Sequence, residues 1–178
     1  LSEGRAWVYS PDGSLLAGAL PNGTVRVLNA VTGDELFATS GGHGAELRIS
    51  TFWSPSGDRF LTVGADDVAK VWDAATGEVV FDLQGHTDHV SSVAWSPDGT
   101  RLVAVGGEAG RGIVKIWQVG DDGAWEESLS VEEEVLSCVD WSLDGTRLAT
   151  GATSGTITLR DVETGEASHS LAGQLTNV

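Results

Sequence analysis

Runs of about five residues rich in Val, Leu, Ile, Thr and Trp recur along the chain, each too short for a helix and each bounded by Gly, Pro, Asp or Asn. Between positions 91 and 131 they are Ser91 to Trp95, Arg101 to Val105, Ile113 to Trp117 and Trp125 to Val131. The pattern predicts four short strands. Between the first two, Pro97 fixes φ and Gly99 supplies a positive φ, so Pro97-Asp98-Gly99 predicts a tight turn and antiparallel neighbours. Leu102-Val103-Ala104-Val105 is apolar without alternation, as suits a strand covered on both faces.

The four-strand unit repeats. Tyr9-Ser10-Pro11-Asp12-Gly13, Trp53-Ser54-Pro55-Ser56-Gly57, Trp95-Ser96-Pro97-Asp98-Gly99 and Trp141-Ser142-Leu143-Asp144-Gly145 stand 44, 42 and 46 residues apart. A second ladder, Leu28-Asn29, Trp72-Asp73, Trp117-Gln118 and Arg160-Asp161, is spaced by 44, 45 and 43. One four-stranded sheet cannot bury its own faces, whereas radially stacked sheets cover one another and leave only short edges.

In these residues the sequence resembles the WD40 repeat family: Gly42-His43 and Gly85-His86 stand at that family's Gly-His, and Trp72-Asp73 is a literal Trp-Asp. The resemblance covers essentially the whole chain. It implies an all-β fold, a WD40-type β-propeller segment spanning 1–178 with four blades of four antiparallel strands, at approximately 5–42, 43–85, 86–132 and 133–173. It also implies a buried network within a repeat, joining the His, a second-strand Ser or Thr, an Asp in the next turn and the Trp. His43, Thr62, Asp66 and Trp72 match it completely. Indole N–H can donate to hydroxyl, hydroxyl to imidazole and imidazole to carboxylate, so no buried polar atom is left unpaired.

The other repeats depart from that pattern. The third keeps His86 and Trp117 but has Ala104 for the hydroxyl and Arg111 for the Asp, after a longer Gly-rich turn from Gly106 to Gly112; the fourth has Thr150, Ser154 and Arg160; the first has Gly18, Asn22 and Leu28. In the family, partner proteins dock at the start of each innermost strand, on the face of the Gly-His loops. The matching positions are Arg5, Ile49, His89, Ser91, Val135 and Ser137, each of which also reads as ordinary loop surface.

The family closes with about seven blades, and four leave two blade faces uncovered. Each face measures roughly 300 Å² from strand spacing and rise, worth on the order of 8 kcal/mol at about 25 cal/mol per Å². The expected cover is the remaining blades of a longer propeller. A homodimer forming an eight-bladed ring and a closed four-bladed ring are the other solutions.

Function then reads as a protein–protein interaction scaffold and not an enzyme. A Ser/Thr, a His and an Asp together also invite a hydrolase reading, but a hydroxyl locked inside a blade cannot meet a substrate. The Gly-rich, lysine-poor repeats are similar to bacterial WD40 arrays, which offers a second reading: the sensor of a larger bacterial signalling ATPase or kinase. No Gly-x-x-x-x-Gly-Lys loop is present in the chain, so such an activity would lie elsewhere. A third reading, a propeller hydrolase or lyase, needs convergent polar groups in a central channel, and the sequence offers none.

Composition narrows the partners. Twenty-six acids against ten bases give a net charge of −16, which repels phosphate backbones and anionic lipid and so argues against nucleic acid and membrane surfaces. It is the charge of a solvated surface that keeps a β-rich chain from sticking to itself; a basic partner or a salty cytoplasm would also suit it. No apolar run approaches the roughly 18 residues of a spanning helix. Leu1-Ser2-Glu3-Gly4 has no signal-peptide character, and a sequence without Met is what an excerpt of a longer chain would show. A single cysteine, Cys138, predicts a reducing, cytoplasmic setting and reads as a small buried hydrophobe on an innermost strand. His86-Thr87-Asp88-His89 is too sparse for a metal site, and the seven acids between Asp121 and Glu134 lack the spacing of a calcium loop, so they read as a solvated edge. No metal or cofactor is implied. Trp125, within that acidic stretch, is a candidate surface anchor.

Overall fold

The computed structural model describes residues 7–20, 22–39, 43, 51–64, 68–83, 86, 89–108, 110–120 and 123–173. The chain divides into two compact units, Leu1–Gly85 and His86–Val178. Each holds two four-stranded antiparallel sheets, called blades below. Blade 1 is β1 (Val8–Tyr9), β2 (Leu15–Ala19), β3 (Val25–Asn29) and β4 (Glu35–Thr39); blade 2 is β5 (Thr51–Trp53), β6 (Arg59–Val63), β7 (Ala69–Asp73) and β8 (Val79–Leu83). Blade 3 is β9 (Val90–Trp95), β10 (Arg101–Glu108), β11 (Arg111–Val119) and β12 (Trp125–Glu133); blade 4 is β13 (Leu136–Trp141), β14 (Arg147–Ala152), β15 (Ile157–Asp161) and β16 (Ala167–Leu171). In every blade the strands pair in chain order, so each sheet is a meander. No helix among the described residues is long and apolar enough to cross a membrane.

The turns explain why the meander forms. In blade 1 Ser10 Oγ donates to Asp12 Oδ1 at 2.6 Å and accepts the Leu15 N–H at 2.9 Å, while Asp12 accepts the Ser14 N–H at 3.0 Å. Ser96 with Asp98 and Ser142 with Asp144 repeat the arrangement. Gly13 closes its turn with φ of 73°, which a side chain would resist. The hydroxyl of Ser10 and the amide of Ser14 hold the Asp12 carboxyl down to about 2, and Ser142 and Thr146 do the same for Asp144.

Cores form where blades of one unit stack. In the first unit Ala17, Ala19, Val25 and Val27 of blade 1 pack on Phe60 and Trp72 of blade 2. In the second, Val103, Val105, Val114 and Ile116 of blade 3 pack on Val139, Trp141 and Leu148 of blade 4. β10 is buried from Leu102 through Gly107, in keeping with its unbroken apolar sequence.

Three local expectations are corrected. The segment from Gly106 to Gly112 is not a long turn: β10 and β11 stay in register to the pair Glu108 and Arg111. Its glycines make room for backbone, since a Cβ on Gly112 would lie 1.7 Å from Glu134 O and one on Gly106 2.6 Å from His89 O. Cys138 is exposed, not buried. The irregularity in β13 between Leu136 and Cys138 inserts a residue, so Leu136, Val139 and Trp141 face the core while Cys138 shares the outward face with Asp140. Trp125 is half-buried, its ring edge-on to Trp95 at 5.8 Å, so it braces its own blade instead of standing free.

Candidate functional site

The four blades fill one interior position in four ways. In blade 2 the predicted network forms: Thr62 Oγ1 accepts the Trp72 indole N–H at 2.8 Å and lies 2.7 Å from His43 Nε2. Because the hydroxyl accepts from the indole, its own proton is available to Nε2, which leaves the imidazole proton on Nδ1. All three side chains are buried. Asp66, the fourth expected member, lies outside the described residues.

Blade 3 lacks the bridging hydroxyl. His86 lies edge-on to Trp117 at 6.2 Å, and with Ala104 in place of a Thr both its ring nitrogens are buried without a hydrogen-bond partner. Burial, reinforced by the nearby Lys115 ammonium, pushes its pKa down from 6.5 to about 4, against smaller upward pulls from Glu127 and the Ala104 backbone. Arg111, aligned with the network Asp, is an exposed strand residue paired with Glu132.

Blade 4 replaces the imidazole and indole by an ion pair. Thr150 Oγ1 donates to Glu133 Oε2 at 2.9 Å, the other Glu133 oxygen pairs with the Arg160 guanidinium, and Arg160 also donates to Gly165 O. Both charged side chains are nine-tenths buried or close to it. This overturns the reading of Glu133 as part of a solvated edge; the burial of Arg160 requires a counter-charge, and Glu133 supplies it. Glu127 and Glu132 keep to the surface in pairs with Lys115 and Arg111. A cavity of about 220 Å³ opens beside Arg160, lined by Glu133, Thr158 and Ser170 among others. In blade 1 the Trp7 ring, itself partly exposed, lies against Gly18, where a Cβ would approach it to 2.7 Å.

The hydroxyls of blades 2 and 4 are turned inward. Thr62 and Thr150, the hydroxyls a hydrolase reading would use, are 0% and 1% exposed. Among the described residues no three of His, Cys, Asp and Glu are grouped to hold a metal ion. The outward chemistry is at the strand starts. His89, immediately before β9, is exposed and Ser91 within it is half-buried; Val135, before β13, and Ser137 within it are exposed. Two are anchored through the backbone, His89 O accepting the Gly107 N–H at 3.1 Å and Val135 O the Thr153 N–H at 2.8 Å, while the Ser137 hydroxyl donates to Gly151 O at 3.0 Å. These four side chains thus stand at corresponding places on blades 3 and 4. Arg5 and Ile49 lie outside the described residues.

Sequence reasoning passed over the Arg101 side chain of blade 3. Its guanidinium lies 5.3 Å over Trp141, donates to Gly145 O at 3.1 Å and pairs with Glu163 at 2.9 Å, tying blade 3 to blade 4. The recurrence of Arg at 59, 101 and 147, just after the turn, was the available signal.

Comparison with known proteins agrees with this architecture. The model for the WD domain, G-beta repeat, matches residues 34–73 and 77–118, and that for the anaphase-promoting complex subunit 4 WD40 domain matches 110–177. Protein transport protein SEC13 of Candida albicans is 38% identical over 98 residues, covering 51% of this chain and 33% of that protein. The Kluyveromyces lactis protein of the same name is 36% identical over 126 residues, covering 66% of this chain and 41% of its own length. The one from Aspergillus clavatus is 27% identical over 175 residues, covering 86% and 59%. The chain therefore spans between a third and three fifths of these relatives. A chain in a crystal structure of the mitotic checkpoint complex superposes with a TM-score of 0.77 at 22% identity, over 94% of this chain and 50% of that one, a likeness of fold. These relatives are fungal, and lend the bacterial sensor reading no support.

Proposed function

This chain belongs to the WD40 repeat family, and from that premise we propose that it is a protein-docking scaffold, working in protein transport as its relatives' name suggests. The observation that carries the reading is the direction of the polar chemistry. The Thr, His, Trp, Glu and Arg side chains of the interior networks, His43, Thr62, Trp72, Thr150, Glu133 and Arg160, are engaged with one another inside the blades. What faces outward at the strand starts is His89, Ser91, Val135 and Ser137, on backbone held by the His89 and Val135 carbonyls. Such a surface recognises shape and hydrogen-bonding groups at little entropic cost, because the backbone beneath it is already fixed. The net charge of −16 favours a basic partner surface over nucleic acid or anionic lipid. The exposed thiol of Cys138 goes with a reducing, cytoplasmic setting.

The test replaces His89, Ser91, Val135 and Ser137 together by alanine and compares proteins co-purifying with the altered and unaltered chains. Partners held by the unaltered chain should be lost while the far-ultraviolet β spectrum stays the same. Retention of the same partners by the altered chain would place docking on another face.

A further inference from the structure

In three blades a basic side chain two positions before Leu28, Trp72 or Trp117 reaches an acid on the last strand of its own sheet. Arg26 pairs with Glu35 at 3.3 Å, Lys70 with Asp82 at 2.8 Å and Lys115 with Glu127 at 2.7 Å. The two lysine stems are sunk into the fold, with side chains only 18% and 11% exposed. Strand register fixes the corresponding places in blade 4. Thr158 stands where the bases stand, and Ser170 opposes it as Asp82 opposes Lys70. Ala167 opposes Arg160 as Glu127 opposes Trp117 and Glu35 opposes Leu28. Blade 4 has thus lost both base and acid, and the cavity of about 220 Å³ is lined by these three replacements.

The cavity belongs to the junction of blades 3 and 4. Thr158 and Arg160 share one face of β15 with Leu148, which opposes Arg160 and packs on blade 3. Trp72, in the place of Arg160, likewise faces the preceding blade. A further repeat would cover the other face of blade 4 and leave the cavity as it is. One wall is the buried pair of Arg160 and Glu133, neutral as a unit. The carboxylate left over is the exposed Glu134, which accepts the Ser154 hydroxyl and pairs with no base among the described residues. Hydroxyls of Thr156, Thr158 and Ser170 and the methyls of Ala152 and Ala167 complete the lining. An anion is poorly served here: it would meet two carboxylates, while the Arg160 donors are spent on Glu133 and Gly165 O and its Nε is itself buried.

We propose that this cavity receives a lysine side chain of a partner protein, its stem along Ala152 and Ala167 and its ammonium between Glu134 and the hydroxyls of Thr156, Thr158 and Ser170. Such a lysine takes from outside the place that Lys70 and Lys115 fill from within. Three freely turning ammonium donors suit one carboxylate ringed by hydroxyls. The net charge of −16 draws a basic segment toward the chain. That the lysine comes from a protein rests on the docking function proposed above; the cavity itself is tested without a partner, so failure of either leaves the other standing.

The experiment titrates the chain with Nα-acetyl-lysine methylamide at physiological salt and follows backbone amide shifts by NMR. Shifts at Thr156, Thr158 and Ser170 should saturate. The capped norleucine, a stem without a charge, should leave them unmoved. Glu134→Gln, at an exposed residue, should weaken binding by about fivefold or more. Thr158→Lys with Ala167→Glu installs the ion pair of blade 3 and should abolish binding, while unmoved amides in the rest of the chain show that the fold is kept. No saturable shift at these residues overturns the proposal, as does norleucine binding as well as lysine, or lysine binding that survives the filled cavity. Spermidine shifting the same amides at about tenfold lower concentration than the capped lysine would overturn the protein source and give the cavity to a free polyamine.

Discussion

At the scale of the residue, the interior position that every repeat shares shows what a single hydroxyl contributes. Thr62 lets an imidazole and an indole be buried together and hydrogen-bonded through one hydroxyl, whereas Ala104 offers the half-buried His86 no side-chain partner for its ring nitrogens. His43→Ala should therefore cost about 1 to 3 kcal/mol, by stranding its partner, and more than His86→Ala, which strands nothing; denaturant titration of the two variants checks the order. Blade 3 should also feel pH. The folded-state pKa of His86, about 4, lies below its ordinary 6.5, so the unfolded chain binds the proton more readily. Stability is complete above about 6.5 and falls as the pH drops toward 4. The ionisable groups near it are Lys115 and Glu127, and the Asp12 and Asp144 carboxyls, held near 2, do not titrate in that window. The loss of midpoint between pH 7 and pH 5 should be smaller in His86→Leu than in the parent chain; equal losses would assign the slope to other groups.

At the scale of the element, blade 4 shows that a repeat can keep its outline while exchanging its interior. Glu133→Gln would leave the buried Arg160 guanidinium without a counter-charge, and breaking a buried pair by removing one partner costs about 3 to 5 kcal/mol. Thermal unfolding of this variant should show a loss well beyond that of Glu132→Gln, whose Arg111 partner is exposed. The strands and turns of all four blades were legible in the sequence because their signals are local: Pro and Gly at fixed offsets, and apolar runs between them. The blade 2 network was legible through family resemblance. The Glu133 and Arg160 pair was not, because its members sit 27 positions apart on strands of different blades and each reads alone as a surface charge. Gly106 and Gly112 misled for a related reason: glycine punctuates turns, but these two lie within strands whose Cβ space is taken by His89 O and Glu134 O. The outward side of Cys138 depended on an inserted residue in β13 that reverses the alternation.

At the scale of the whole molecule, charge acts against folding. With ten bases and 26 acids, pairing every base would still leave 16 carboxylates without a counter-charge. Five of the six ion pairs among the described residues include at least one partly exposed side chain, so they are screened by salt much as the excess acids are. The repulsion is the larger effect, since sixteen like charges on a chain of 178 residues interact over every distance within a Debye length of about 8 Å at physiological ionic strength. Raising monovalent salt from low to physiological should therefore raise the unfolding midpoint, by about 2–4 °C for each kcal/mol of repulsion removed. The buried Glu133 and Arg160 pair, shielded from ions, should contribute little to that change, so Glu133→Gln and the parent chain should show parallel salt dependences on different baselines. A midpoint that falls as salt is added would mean that the surface pairs outweigh the excess of acids.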